Sequence, residues 1–359
     1  MGDTYPRIKT AAVQAASVFL DREASTDRAC ELIKEAGAQG ARLIVLPEGF
    51  IPAHPVWFHL HPATSELSVQ LSTELFKNAV EVPGDTVAEL CRAASEANAY
   101  VVIGICEKMA NTLGTMYNTQ LFISPEGTCL GKHQKLVPTV GERLVHTGGY
   151  GDTLHAFDTE FGPISGLICG ENSNPLAVFA VTAEHTRVHA MSWPNFFPTS
   201  GRPLGERVVN DARSFAQMSK AFVVAACGTV DERMIEMLAT NAEMETFLRN
   251  PDISGGSTIV APDMEVIAGP MGHEEGILYA ELDLEHCIRM KLRHDFAGHY
   301  NRPDIFQLSI NRRAPELLVD AKDLTGDAGL STERDESQAV AGRTSGEAGS
   351  ESAMDEDVD

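Results

Sequence analysis

Short apolar runs alternate with helix-length segments through residues 1–315, and that alternation constrains the fold more than any other feature of the chain. Ile8 to Ala15 reads as a strand and Asp21 to Gly37 as a helix. Arg42 to Leu46 is a brief apolar run stopped by Pro47, the pattern of a buried strand. A helix is expected near Asp85 to Asn98, then a strand from Tyr100 to Cys106. Tyr117 to Ser124 and Thr128 to Lys132 flank Pro125-Glu126-Gly127, which predicts a hairpin. The second half resembles the first. Strands are expected at Ile164 to Cys169, Val188 to Ser192 and Phe222 to Ala226. Between them fall a helix opened by Asn174-Pro175, cap and first helical position, and another from Leu204 to Ser219. Ser257 to Ala261, Val266 to Ala268 and Ile277 to Leu282 complete the strands. Such an order, duplicated along one chain without a Pro/Gly/Ser linker, calls for an α/β fold of two sheets covered outside by helices: a four-layer αββα sandwich.

The last forty residues differ. From Asp320 onward there are twelve acids, three bases and no aromatic residue. A segment of that kind cannot bury enough apolar surface to offset its ordering entropy, so residues 320–359 are expected to be a disordered acidic tail. The whole chain carries a net charge of −23. That field argues against a nucleic-acid partner and against an anionic membrane surface. No run approaches the roughly 20 apolar residues of a spanning helix; Ala221 to Gly228 is only strand-sized. The N-terminal residues show no basic region leading into an apolar one, and a cytoplasmic location is expected. Seven widely spaced cysteines, none in a C-x-x-C pair, suit a reduced compartment with mostly buried thiols.

Three segments place a chemically capable residue just after an apolar run. In Leu46-Pro47-Glu48-Gly49-Phe50, an acid ends a buried strand, and burial would raise its pKa toward that of a general base. Taken alone, Glu48 reads more readily as a helix-cap or loop acid. In Lys135-Leu136-Val137-Pro138-Thr139-Val140-Gly141-Glu142-Arg143, Lys135 and Glu142 lie seven residues apart, where a folded loop can join them as a charge pair. In Gly166-Leu167-Ile168-Cys169-Gly170-Glu171-Asn172, a thiol sits at a strand-to-helix junction, where the helix N-terminus would favour thiolate. The other six cysteines read as packing. No local signature selects a histidine partner from those available. His54, His59 and His61 share one Pro-rich loop without an obvious acid or Cys partner, and no metal site is expected.

Together these segments resemble the nitrilase superfamily of carbon–nitrogen hydrolases, over about residues 6 to 310. The resemblance lies in the order: Glu in Leu-Pro-Glu, Lys in Lys-Leu-x-Pro-Thr-x-x-Glu-Arg, then Cys in a strand-to-helix turn. Cys169-Gly170-Glu171-Asn172, Pro55-Val56-Trp57 and Gly298-His299-Tyr300-Asn301-Arg302-Pro303-Asp304 look like the nitrilase branch itself. Gly170 departs from it, standing where many nitrilases have Trp; His146 stands where an aromatic is common. The resemblance implies one hydrolase domain over residues 1–319 that turns a small organic nitrile into a carboxylic acid and ammonia. It implies Cys169 as nucleophile, Glu48 as base, Lys135 as stabilising cation and Glu142 as its partner, with no cofactor. Trp57, Glu171, Trp193 and Asn195 are expected around the substrate, and a homodimer that assembles into a larger oligomer or spiral is expected. An amidase or carbamoylase using the same residues, or a cyanide-hydrolysing member, is the alternative.

Overall fold

In the computed structural model, which describes residues 2–198, 201–314 and 316–318, the strands fall close to where apolar periodicity puts them. The first half runs β1 (Arg7–Gln14), α1 (Arg22–Ala38), β2 (Leu43–Val45), α2 (Glu66–Asn78), α3 (Asp85–Ala97), β3 (Tyr100–Lys108), β4 (Met116–Ile123) and β5 (Cys129–Gln134). The second runs β6 (Ile164–Ile168), α4 (Pro175–Ala183), β7 (Val188–Trp193), α5 (Leu204–Ser219), β8 (Phe222–Cys227), α6 (Glu232–Leu238), α7 (Ala242–Leu248), β9 (Thr258–Val260), β10 (Val266–Ala268), β11 (Gly276–Asp283) and α8 (Glu285–Lys291). Caps account for several boundaries. Asp21 accepts from Ala24 N at the start of α1, and Asn174 accepts from Leu176 N ahead of Pro175 in α4. Helices α2, α6, α7 and α8 are absent from the sequence-based expectation. Three of them are only seven residues long, too short for helical periodicity to stand out.

The strands form two sheets, ordered β11-β1-β2-β3-β4-β5 and β10-β9-β8-β7-β6. The alternation of side chains along each strand separates three cores. Ala11, Val13, Ile44 and Val101 point outward onto Ala29 and Ile33 of α1 and Leu90 and Ala94 of α3. Ala12, Val45, Val102 and Phe122 point the other way and meet Ala190, Val224 and Ile259 of the second sheet. Leu167, Met191, Val223 and Ala225 cover the far face of that sheet, against Val181 of α4 and Val208, Ala212 and Phe215 of α5. The architecture is therefore the expected four-layer sandwich. The acidic tail expected over residues 320–359 lies outside the described residues. Among the described residues no helix is long and apolar enough to cross a membrane.

Candidate active site

Strands β2 and β3 are parallel, as are β6, β7 and β8, so their carboxyl ends gather loops from both sheets. Glu48 follows β2. Its amide donates to Trp193 O at 3.1 Å, across to the end of β7 in the other sheet. Gly104 on β3 makes room for this. A Cβ there would stand 2.3 Å from Pro47 O and 2.7 Å from Glu48 Cα, an approach only glycine permits. Lys135 follows β5, and the β4–β5 register places its amide on Asn118 O at 2.8 Å. The chain then winds into a 3-10 turn, Val140–Leu144, where Thr139 N donates to Glu142 Oε2 at 2.7 Å. That turn carries Glu142 back onto Lys135. Cys169 follows β6 and opens a second 3-10 turn, Cys169–Ser173, with φ of 52°, in the left-handed region. Asn172 Nδ2 holds the turn by donating to Leu167 O at 3.1 Å and Cys169 O at 2.9 Å.

A buried network results. Lys135 Nζ donates to Glu48 Oε1 at 2.8 Å and to Glu142 Oε2 at 2.7 Å. Asn118 Nδ2 donates to the other side of the same pair, 2.7 Å from Glu48 Oε1 and 2.7 Å from Glu142 Oε1. The two carboxylates nonetheless part ways. Burial alone would raise Glu142, but Lys135 and His146 outweigh it and hold the group well below its ordinary range. Glu142 is satisfied at both oxygens, with His146 Nδ1 3.1 Å from Oε1. Glu48 is pushed up to about 7, chiefly by burial, with Lys135 opposing and Glu142 reinforcing the rise. Its Oε2 is buried with no hydrogen-bond partner. Burial acts to lower Lys135, but Glu48 and Glu142 overcome it and keep the ammonium charged. The Cys169 thiol is driven up, first by burial and then by Glu48. This reverses the effect expected from a helix N-terminus: the short turn leaves the sulfur buried, and desolvation dominates. The arrangement brings together a buried thiol, a carboxylate with one oxygen free and a fixed cation.

The carbon–nitrogen hydrolase family model matches residues 9–292. The chain belongs to that family. Among curated relatives, it is 36% identical to a nitrilase of Bacillus sp. (strain OxB-1), over 86% of this chain and 89% of the relative. It is 32% identical to an arylacetonitrilase of Aspergillus niger, over 85% of this chain and 92% of the relative. Among solved structures, Saccharomyces cerevisiae Nit3, a branch 10 member of the nitrilase superfamily, superposes with a TM-score of 0.61 at 24% identity, covering 80% and 94% of the two chains. The C. elegans NitFhit protein gives 0.65 at 20% identity, covering 88% and 70%. Those two likenesses concern the fold. The chain is a hydrolase acting on carbon–nitrogen bonds.

In this carbon–nitrogen hydrolase the residues expected around substrate are all buried, and the structure shows what each one holds. Glu171 Oε1 accepts from Leu136 N at 2.6 Å; Oε2 accepts from Ile168 N at 2.9 Å and lies 3.0 Å from His133 Nε2. Its carboxylate thus ties the Lys135 segment to the Cys169 turn. Trp57 packs edge-on against Phe19, ring centroids 6.2 Å apart, in a cluster with Leu71, Leu75 and Phe196. Trp193 lends its carbonyl to Glu48, and Asn195 Nδ2 donates to Thr229 O at 3.0 Å. Both indole Nε1 groups are buried without a partner, so each keeps a free donor. Asn118 and Gly104 escaped the sequence reading; Asn172 entered it only as part of the cysteine motif and His146 only as a departure from the family pattern. Of those two, Asn118 left a trace: Asn118-Thr119-Gln120 is a polar run inside an otherwise apolar strand. Cys106, read as packing, has its sulfur 3.1 Å from His146 Nε2, next to the site. His54, read as lacking an acid partner, has Nδ1 3.5 Å from Glu48 Oε1. Donor atoms of Glu48, His54 and Glu142 lie within 4.8 Å of one another, but Lys135 already bridges the two carboxylates, and a metal ion there would have to displace its ammonium.

Proposed function

We propose that the chain hydrolyses an organic nitrile to its carboxylic acid and ammonia through a covalent intermediate on Cys169. The observation that carries this reading is the Lys135 ammonium held between Glu48 and Glu142 while Glu48 Oε2 stays free. The relatives named as nitrilases, at 36% and 34% identity across most of the chain, support the substrate class. Cys169 Sγ attacks the nitrile carbon as its proton passes to Glu48 Oε2. One π bond of the nitrile opens, its nitrogen takes that proton, and a thioimidate forms. Lys135 stabilises the negative charge that develops on nitrogen, as a preorganised cation in a water-poor site does well. Glu48 then activates a water that adds to the carbon. The C–N bond breaks, ammonia leaves, and a thioester remains. A second water, again activated by Glu48, breaks the C–S bond and restores the thiol. The balance is one nitrile and two waters to one acid and one ammonia.

Trapping tests this. The enzyme is quenched during nitrile turnover and digested, and the mass adduct of the acyl group should sit on the Cys169 peptide. An adduct on Cys106, or an active Cys169→Ala variant, would overturn the assignment. Assaying a nitrile beside its amide separates nitrile hydrolysis from the amidase reading.

A further inference from the structure

Gly170 follows Cys169 where many nitrilases carry Trp, and the space of that side chain is open. A Cβ there would meet only Thr139 Oγ1, at 3.8 Å. Beside it is a cavity of about 310 Å³, bounded by Leu136, Pro138, Thr139 and Gly170 and by two arginines, Arg143 and Arg207. That volume is at the small end of ligand pockets. Glu171 is the acid that lines the same cavity, and both its oxygens are spent on Leu136 N, Ile168 N and His133. The local charge facing the cavity is therefore positive, in a chain whose net charge is −23.

Both guanidinium groups are held, and neither is tightly paired with a carboxylate. Arg143 Nε donates to Pro138 O at 2.8 Å, and among the described residues Arg143 has no ion-pair partner. Arg207 lies 5.8 Å from the Trp193 ring centre and 5.5 Å from the Phe197 ring centre, cation–π contacts that restrain its guanidinium group. It forms a loose ion pair with Asp211, 3.9 Å from Nε and beyond hydrogen-bond range, which leaves the fork's other nitrogens free. Arg207 also favours the charged form of the Cys169 thiol, so its field reaches the proposed nucleophile.

We propose that this cavity recognises a carboxylate on the substrate, held between Arg143 and Arg207 while the nitrile reaches Cys169; the substrate class is carboxylate-bearing nitriles. This rests on nitrile hydrolysis at Cys169. Planar forks suit bidentate binding of a carboxylate, and charge-assisted hydrogen bonds are the stronger kind. The overall negative charge does not prevent this, because screening confines exposed charges to roughly 8–10 Å at ordinary salt.

The test compares two nitriles of matched shape: a cyano-terminated butanoate, and the same chain with isopropyl in place of the carboxylate. Ammonia release gives kcat/KM for each. The wild-type enzyme should prefer the anionic nitrile by about tenfold or more, the scale of a charge-assisted contact. Arg207→Gln and Arg143→Gln should each lower that preference by about tenfold, mainly through KM for the anionic substrate. Arg207→Lys should retain part of it. Gly170→Trp, which fills the cavity, should remove it. Turnover of both nitriles with no anionic preference, or a preference unchanged in both arginine variants, overturns the proposal alone. No ammonia from either nitrile overturns it together with nitrile hydrolysis.

Discussion

Glu48 and Glu142 are the same residue type, close to the same lysine, yet their partners set them to opposite tasks. As the base of the proposed reaction, Glu48 with its pKa at about 7 would be competent only above that pH, so kcat/KM is expected to rise with pH through about 7. The stability linkage has the opposite sign. A carboxyl raised from 4.5 to about 7 binds more protons folded than unfolded, so its contribution is full below about 4.5 and is lost as pH rises through about 7. A kcat/KM profile that stays flat down to pH about 5 would remove Glu48 as the base. Glu142→Gln tests the other carboxylate. Gln offers one acceptor oxygen where Glu142 now receives Lys135, Thr139 N, Asn118 and His146, and it leaves Lys135 with less opposing charge. Turnover should fall by roughly 10²-fold or more, in line with losing one electrostatic contact in an active site. The Cys169 thiol should still take up a small alkylating reagent. Near wild-type turnover would make Glu142 an ordinary capping acid of its 3-10 turn.

At the scale of elements, the junction between β6 and α4 is one of the strained points of the backbone. Cys169 adopts φ of 52°, which costs a β-carbon-bearing residue about 1–3 kcal/mol. The turn is held by a chain of buried bonds. Thr186 Oγ1 donates to Val181 O at 2.7 Å and lies 3.0 Å from Ser165 Oγ, Ser165 Oγ lies 2.8 Å from His189 Nδ1, and His189 Nε2 lies 2.9 Å from Asn172 Oδ1. Burial keeps His189 well below its ordinary pKa, hence neutral, so one ring nitrogen donates and the other accepts. Asn172 passes the order on to Leu167 O and Cys169 O. Asn172→Ala leaves those carbonyls and His189 short of partners, at about 1–3 kcal/mol. Thermal melts should show a lower Tm, and kcat should fall more than KM changes. Unchanged Tm and kcat would mean that Glu171 alone fixes the turn.

For the whole molecule, charge is the property that separates the two ends of the chain. Residues 320–359 carry twelve acids and three bases of a chain whose net charge is −23. Like charges brought together at a subunit contact repel within a Debye length of roughly 8–10 Å. Removing residues 324–359 should leave activity per active site nearly unchanged and favour larger assemblies at low salt. Light scattering of both forms across a salt series reads this directly. Equal size at every salt concentration would show that the tail has no part in assembly.

Much of the architecture was legible because its signals are local. Apolar runs ended by Pro47, the Asn174-Pro175 cap and the Pro125-Glu126-Gly127 turn mark boundaries that depend on neighbours in sequence. Glu48, Lys135, Glu142 and Cys169 stood out for the same reason, each lying just past an apolar run or within a distinctive loop. Their electrostatics were not legible. Asn118 bridges two carboxylates only because strand pairing sets it beside Lys135, and Gly104 matters only because Pro47 and Glu48 press against it. The sequence alone determined the layers and singled out the candidate residues Glu48, Lys135, Glu142 and Cys169. Tertiary structure decided which carboxylate keeps a free oxygen, that the thiol is protonated, and that two arginines distant in sequence face one cavity. Burial and hydrogen-bond partners set those properties, and both exist only when the two sheets meet.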